Sequence, residues 1–158
     1  MTESIFYLVL RSIGYLYNNF LSVTRLNDVK LVDREEILYD ECGLTVCRRV
    51  LGKSEYCTKN MRLTITTDRL FIHELAKPAS SHIIVLVLDR SEDGEEKSRL
   101  PLQGVERGKL RASAIEFNHA RSSILFVPYD LGWRLRDDVV LELFSDHADI
   151  IARLLTEA

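Results

Sequence analysis

Serine, histidine and aspartate are all present in this 158-residue chain, but their spacing assembles no recognisable reactive site. No GxSxG elbow, HExxH pair, P-loop or GxGxxG turn occurs, so acyl, metal or nucleotide chemistry would require convergence of distant residues. The carboxylate runs Glu35-Glu36 and Glu92 to Glu96 fall in predicted loops, where charge serves solvation far more often than acid–base work. His147 is expected in a first helical turn as a surface residue. Cys42, Cys47 and Cys57 form no CxxC pair, and His73, His82 and His119 stand at no ligand spacing from them. An odd cysteine count with no leader pattern fits reduced, intracellular thiols with a structural role. These observations imply a non-enzyme without metal or cofactor.

One cluster has a physical rationale, and it is basic: Arg48, Arg49, Lys53, Lys59 and Arg62. Guanidinium and ammonium groups of this kind bond phosphate oxygens. Arg48 and Arg49 point to opposite faces of a strand, so at most one of them joins Lys59 or Arg62 in a cup. With a net charge of −3 and no run of Lys and Arg, any anion site is local and nucleic acid is not an expected partner.

The elements that position these residues centre on Met61 to Glu74. Met61, Leu63 and Ile65 alternate with Arg62, Thr64 and Thr66, and Leu70 and Ile72 alternate with Arg69, Phe71 and His73, so two half-buried strands fold about Thr67-Asp68. Ile37 to Val50 is a long first strand with a bend at Gly43. Leu51 to Asn60 is a polar loop. His82 to Leu88 is a central strand after the Lys77 to Ser81 turn, Asp89 to Ser98 a charged hairpin tip, and Arg99 to Leu102 an extended stretch. Val105 to Phe117, Ser123 to Tyr129 and Trp133 to Phe144 complete the strands. A closing helix is capped by Ser145 or Asp146, with Ala148, Ile151, Leu154 and Leu155 on its apolar face.

Ser4 to Thr24 is the most apolar stretch. Ser4, Arg11, Asn18 and Ser22 form a narrow polar stripe at helical spacing, leaving a wide apolar face. Arg11, Asn18 and Asn19 argue against a membrane span, and Glu3 with no early Lys or Arg argues against a secretory leader. The helix is expected to pack on its own domain. The alternative is a surface formed by Ile5, Leu8, Val9, Leu16 and Phe20 for a partner, a membrane interface or a second copy of the chain. Length and composition fit one globular unit, divided here into residues 1–35, the apolar helix with its connection, and residues 36–158.

Over residues 36–158 the chain resembles the pleckstrin-homology-like fold, and within it the GRAM domains of WW-domain-binding proteins. The resemblance rests on Ile37-Leu38-Tyr39 with Gly43-Leu44-Thr45-Val46, on Leu63 to Ile72, on Leu100-Pro101-Leu102, on Val139 to Phe144 and on the Asp149 to Leu155 helix. It implies an α+β architecture: a curved antiparallel sheet or partly open barrel of about seven strands, one end plugged by the C-terminal helix, with an additional N-terminal helix. The proline-tyrosine tail motifs of the WW-binding proteins are absent. By resemblance the chain is a cytoplasmic, non-enzymatic adaptor that recruits a protein partner. The alternative is a peripheral membrane domain binding phosphoinositide headgroups, because pleckstrin-homology-like domains use Lys and Arg around the loop that carries the basic cluster.

Overall fold

The computed structural model describes residues 29–50, 55–75, 82–90, 105–129 and 139–157. In chain order these form β1 Ile37–Val50, β2 Glu55–Thr66, β3 Arg69–Leu75, β4 His82–Asp89, β5 Glu106–Lys109, a 3-10 turn Ala112–Ala114, β6 Ile115–Asn118, β7 Ser123–Phe126, β8 Val139–Phe144 and the helix α1 Ala148–Thr156. The strands make one eight-stranded sheet in the order β5-β4-β3-β2-β1-β8-β7-β6. All pairings are antiparallel except β4–β5, which is parallel.

This overturns the expected antiparallel sheet or partly open barrel of about seven strands. The sheet is mixed and has eight strands, and α1 is the one α-helix among the described residues. The difference arises in Val105 to Phe117, expected as a single strand. Glu106–Lys109 pairs with β4, the chain turns through Ala112–Ala114, and Ile115–Asn118 pairs with β7 instead. A four-residue strand reading Glu-Arg-Gly-Lys carries no alternation, and parallel pairing needs a long connection that local periodicity does not register. The expected N-terminal helix, with Ile5, Leu8, Val9, Leu16 and Phe20, lies outside the described residues, as do the Lys77 to Ser81 turn, most of the 89–98 tip, Arg99 to Leu102 and the start of the last strand.

The hairpin forms as the alternation predicts, with Leu63 opposite Ile72 and Ile65 opposite Leu70. Leu44, Val46, Met61, Leu63, Ile65, Leu70, Ile72, Leu86, Leu88, Ile124, Phe126, Leu141 and Leu143 point into one core with Ala148, Ile151, Ala152 and Leu155 of α1. Each large side chain so buried contributes about 1.5–3 kcal/mol. A core shared by strands from both halves requires the sheet to coil. Lys109, at the end of edge strand β5, exchanges both backbone hydrogen bonds with Tyr129, which follows β7, at 2.8 and 3.1 Å. Gly43 supplies the bend at the Cys42/Leu44 register shift, with φ at 84°.

The other face of β2–β4 departs from the half-buried expectation. Thr64, Thr66, Arg69, Phe71 and His73 are all buried rather than solvent-facing. Phe71, Ile84 and Val87 form a second apolar cluster against Val29 and Val105. Period two reports which face a side chain takes; it does not report what covers that face. Leu154 is half-buried, and Ala152 takes its place on the inner face of α1. Ser145 acts ahead of the helix, its hydroxyl accepting the His147 N–H at 2.9 Å. Arg90 ties β4 to the helix end, donating to the carbonyls of Thr66 and Leu154 at 2.5 Å each, where the helix dipole favours a cation. Its own burial lowers the Arg90 pKa.

Candidate functional site

Four places among the described residues bear on a candidate site. The deepest joins residues 29–36 to the hairpin. Glu35 is buried and receives Arg69 on both carboxylate oxygens, Nε at 2.8 Å and the terminal nitrogen more closely, together with the Thr66 hydroxyl at 2.5 Å and the Val32 N–H at 2.9 Å. Arg69 also donates to the Lys30 carbonyl at 2.7 Å and stacks on Phe71. Burial alone would raise the Glu35 pKa, but the bonds from Arg69, Thr66 and Val32 and the Arg69 charge hold it below its ordinary value. With both charges enclosed by protein, this pair fastens residues 29–36 to the sheet as a strap.

The second place superficially suggests a nucleophile relay. Thr64 donates its hydroxyl to Asp40 at 2.9 Å and lies 3.1 Å from His73 Nε2. With the Thr64 proton directed at Asp40, Thr64 Oγ1 accepts from His73, so Nε2 carries the hydrogen and cannot act as base toward Thr64. Thr64 and His73 are wholly buried. Arg62 closes the cluster with two 2.9 Å bonds to Asp40. Burial raises the Asp40 pKa, and the bonds from Arg62 and Thr64 with the charges of Arg62 and His73 outweigh it, leaving the carboxyl more acidic than usual. The arrangement is a polar brace between β1, β2 and β3.

The third place receives the rest of the basic cluster and disperses it. Arg48, facing inward, reaches across the coil to Glu106 of β5 with two bonds of 3.1 and 3.2 Å. Arg49, facing outward, bonds Glu55 at 3.1 Å and the buried Glu142 at 2.6 Å. Glu142 also accepts from Ser123 at 2.7 Å and Arg121 at 3.3 Å. Lys53 lies outside the described residues. Lys59 is exposed and has no carboxylate partner among the described residues. Of the five basic residues, then, Arg48, Arg49 and Arg62 are already matched by carboxylates, and no cup of cations forms among the described residues. The sequence reading missed their partners Glu106, Glu142 and Asp40, because strand pairing, not chain proximity, brings them together.

The expectation of reduced thiols is also overturned: Cys47 and Cys57 form a disulfide, with Cα atoms 4.0 Å apart. They face each other across β1 and β2, a pairing that a spacing of ten residues does not announce. Glu55 lies beside them, with the two sulfurs and a carboxylate oxygen all within 4.8 Å of one another. Bonded to each other, the sulfurs offer no thiolate to a metal. Cys42 is free and exposed.

The same disulfide staples the fourth place, which the sequence reading set aside as part of a polar loop. Glu55–Asn60 is strand, the first half of β2, paired to β1 through Glu55–Thr58. On its other side β3 pairs with β2 only from Arg62 to Ile65. Six consecutive exposed residues, Glu55 to Asn60, therefore form a strand edge that no described strand occupies. Tyr56 on it is 67% exposed. The edge ends at a bulge, where Asn60 takes a φ of 57°. Its one legible signal was Tyr56 to Thr58, an aromatic, a cysteine and a β-branched residue in succession.

No family model, curated protein or solved structure matches the chain. No helix among the described residues is long and apolar enough to cross a membrane.

Proposed function

We propose that this protein is a non-enzymatic binding module that recruits a protein partner, and that the partner adds an extended strand to the open edge of β2. The observation that carries this reading is the run Glu55–Asn60, which among the described residues is paired on one side only, to β1, and is tied to it by the Cys47–Cys57 bond. Unpaired backbone donors and acceptors along an ordered edge supply affinity by strand addition, and the exposed Tyr56 supplies selectivity. The phosphoinositide alternative derives from the GRAM resemblance and has less support. A headgroup would have to compete with Glu106, Glu142, Glu55 and Asp40 for Arg48, Arg49 and Arg62.

Glu55→Pro is the test. As the first residue of β2, Glu55 tolerates proline, which removes an edge donor and leaves the rest of the β1 ladder in place. Proximity labelling with the wild-type chain should mark proteins, a second copy of the chain counted among them, that the Glu55→Pro chain does not. Identical sets would overturn the edge as the binding surface. Co-sedimentation with phosphoinositide vesicles should give no binding, and salt-sensitive binding abolished by Lys59→Glu would establish the lipid alternative instead. The cytoplasmic setting belongs to this reading and is checked by fractionating cells that express the tagged chain: recovery with the cytosolic fraction supports it, and recovery in a secretory compartment opposes it.

A further inference from the structure

We infer that the strand received by the open edge of β2 is the same edge of a second copy of this chain, paired antiparallel about Cys57. This rests on the reading of Glu55–Asn60 as a docking surface and assigns its occupant.

The direction of the backbone groups comes first. In an antiparallel pair, facing residues alternate between wide pairs of about 5.5 Å, which bond each other, and narrow pairs of about 4.5 Å, which do not. Cys47 and Cys57 are a narrow pair, with Cα atoms 4.0 Å apart. The N–H and C=O of Cys57 consequently point away from β1, toward the open side. Residues two positions away share that direction, so Glu55, Cys57 and Lys59 present their backbone groups outward while Tyr56 and Thr58 bond Arg48 and Val46.

The side chains then select the occupant. Glu55 and Lys59 sit at equal distances either side of Cys57 and on the same face of the strand. A two-fold axis through Cys57 places Glu55 of one copy opposite Lys59 of the other, twice, in the register where Glu55, Cys57 and Lys59 exchange backbone bonds. Tyr56 then faces Thr58 of the second copy on the opposite face, an aromatic against a β-branched residue. A lone lysine on an edge blocks pairing with most strands. Here the glutamate two positions before the axis makes the same lysine complementary to its own copy. Glu55 already receives Arg49 at 3.1 Å from the β1 side, and the second copy's lysine approaches from the other. The bulge at Asn60 ends the pairing, so the interface is short and the dimer transient, at the low end of interface sizes.

Sedimentation velocity of the full chain from about 5 to 500 μM measures the association. Wild type should shift from monomer toward dimer across this range. Lys59→Glu and Glu55→Lys each set like charges opposite one another in both symmetric contacts and should weaken the dimer at least tenfold, about 1.4 kcal/mol. The double variant Glu55→Lys/Lys59→Glu restores opposite charges in the same register and should recover dimerisation. Far-ultraviolet circular dichroism and a thermal melt establish that each variant is folded. A wild type that stays monomeric throughout overturns the inference, as does a double variant no better than the single ones. Because labelling by Glu55→Pro is measured separately, a monomeric wild type that still captures another protein through this edge leaves the docking surface standing. Loss of both removes both.

Discussion

Removing the Arg69 guanidinium while leaving Glu35 in place is the most demanding test of the way the hairpin is held. Arg69 and Glu35 are all but wholly enclosed, with side chains 3% and 0% exposed. Arg69→Met deletes both bonds to the carboxylate and the 2.7 Å bond to the Lys30 carbonyl, and leaves a buried anion supported only by Thr66 and the Val32 N–H. Breaking one side of such a pair costs about 3–5 kcal/mol. For a chain of this length that is a fall of roughly 6–20 °C in Tm. Replacing both charges, Glu35→Leu with Arg69→Met, should recover most of the loss, because desolvation of two ions offsets much of their attraction and the Thr66 hydroxyl keeps the Arg69 carbonyl as an acceptor. The pH dependence has a definite sign. The folded carboxyl titrates below its ordinary 4.5, so its contribution is complete above about that pH and is lost as pH falls through the lowered folded value. Urea unfolding at pH 7 and again on acidification measures all of these. A single variant that costs under about 1 kcal/mol at pH 7, or a double variant no more stable than the single, would refute the strap.

Reducing the Cys47–Cys57 bond should lower stability by about 2–3 kcal/mol, the loop-closure contribution for a separation of ten residues, read as a lower Tm with a phosphine reductant and an unchanged Tm in a Cys57→Ser variant given the same reductant. Gly43→Ala should cost about 1–2 kcal/mol through its positive φ alone, since an added Cβ meets open space, and a neutral substitution would show that the bulge does not need the left-handed conformation. The Asp40 carboxyl should titrate below 3.8 by NMR in the wild type and rise toward it in Arg62→Gln, whereas an unmoved midpoint would mean that Arg62 is not what holds it down.

The ion pairs also bear on what the surface offers. The formal charge of −3 conceals a chain in which Arg48, Arg49, Arg62 and Arg69 are each set against a carboxylate from a distant strand or strap. Removing Glu142 would expose what they restrain: Arg49 and Arg121 would both lose a partner, and Ser123 an acceptor, on the outer face of β8.

Local pattern alone determined the Met61 to Glu74 hairpin, its Thr67-Asp68 corner, the central strand His82 to Leu88 and the terminal helix, because each combines an uninterrupted period with a turn or cap signal at its boundary. It also located the bend at Gly43. The rest depends on pairing and packing between strands far apart in the chain. The strand character of Glu55–Asn60 comes from pairing with β1 and from a disulfide, neither of which leaves a mark on hydrophobic alternation. The parallel strand β5 is four polar or small residues made into a strand by its neighbour β4. The burial of Arg69, His73 and Thr64 depends on what lies over their face, and the identity of Arg48's partner depends on a sheet that coils until β1 and β5 approach. Residues close in sequence announce their relations through period and turn chemistry. Glu106 lies 58 residues from Arg48 and Glu142 lies 93 from Arg49, so these partners meet only because the strand order brings them together.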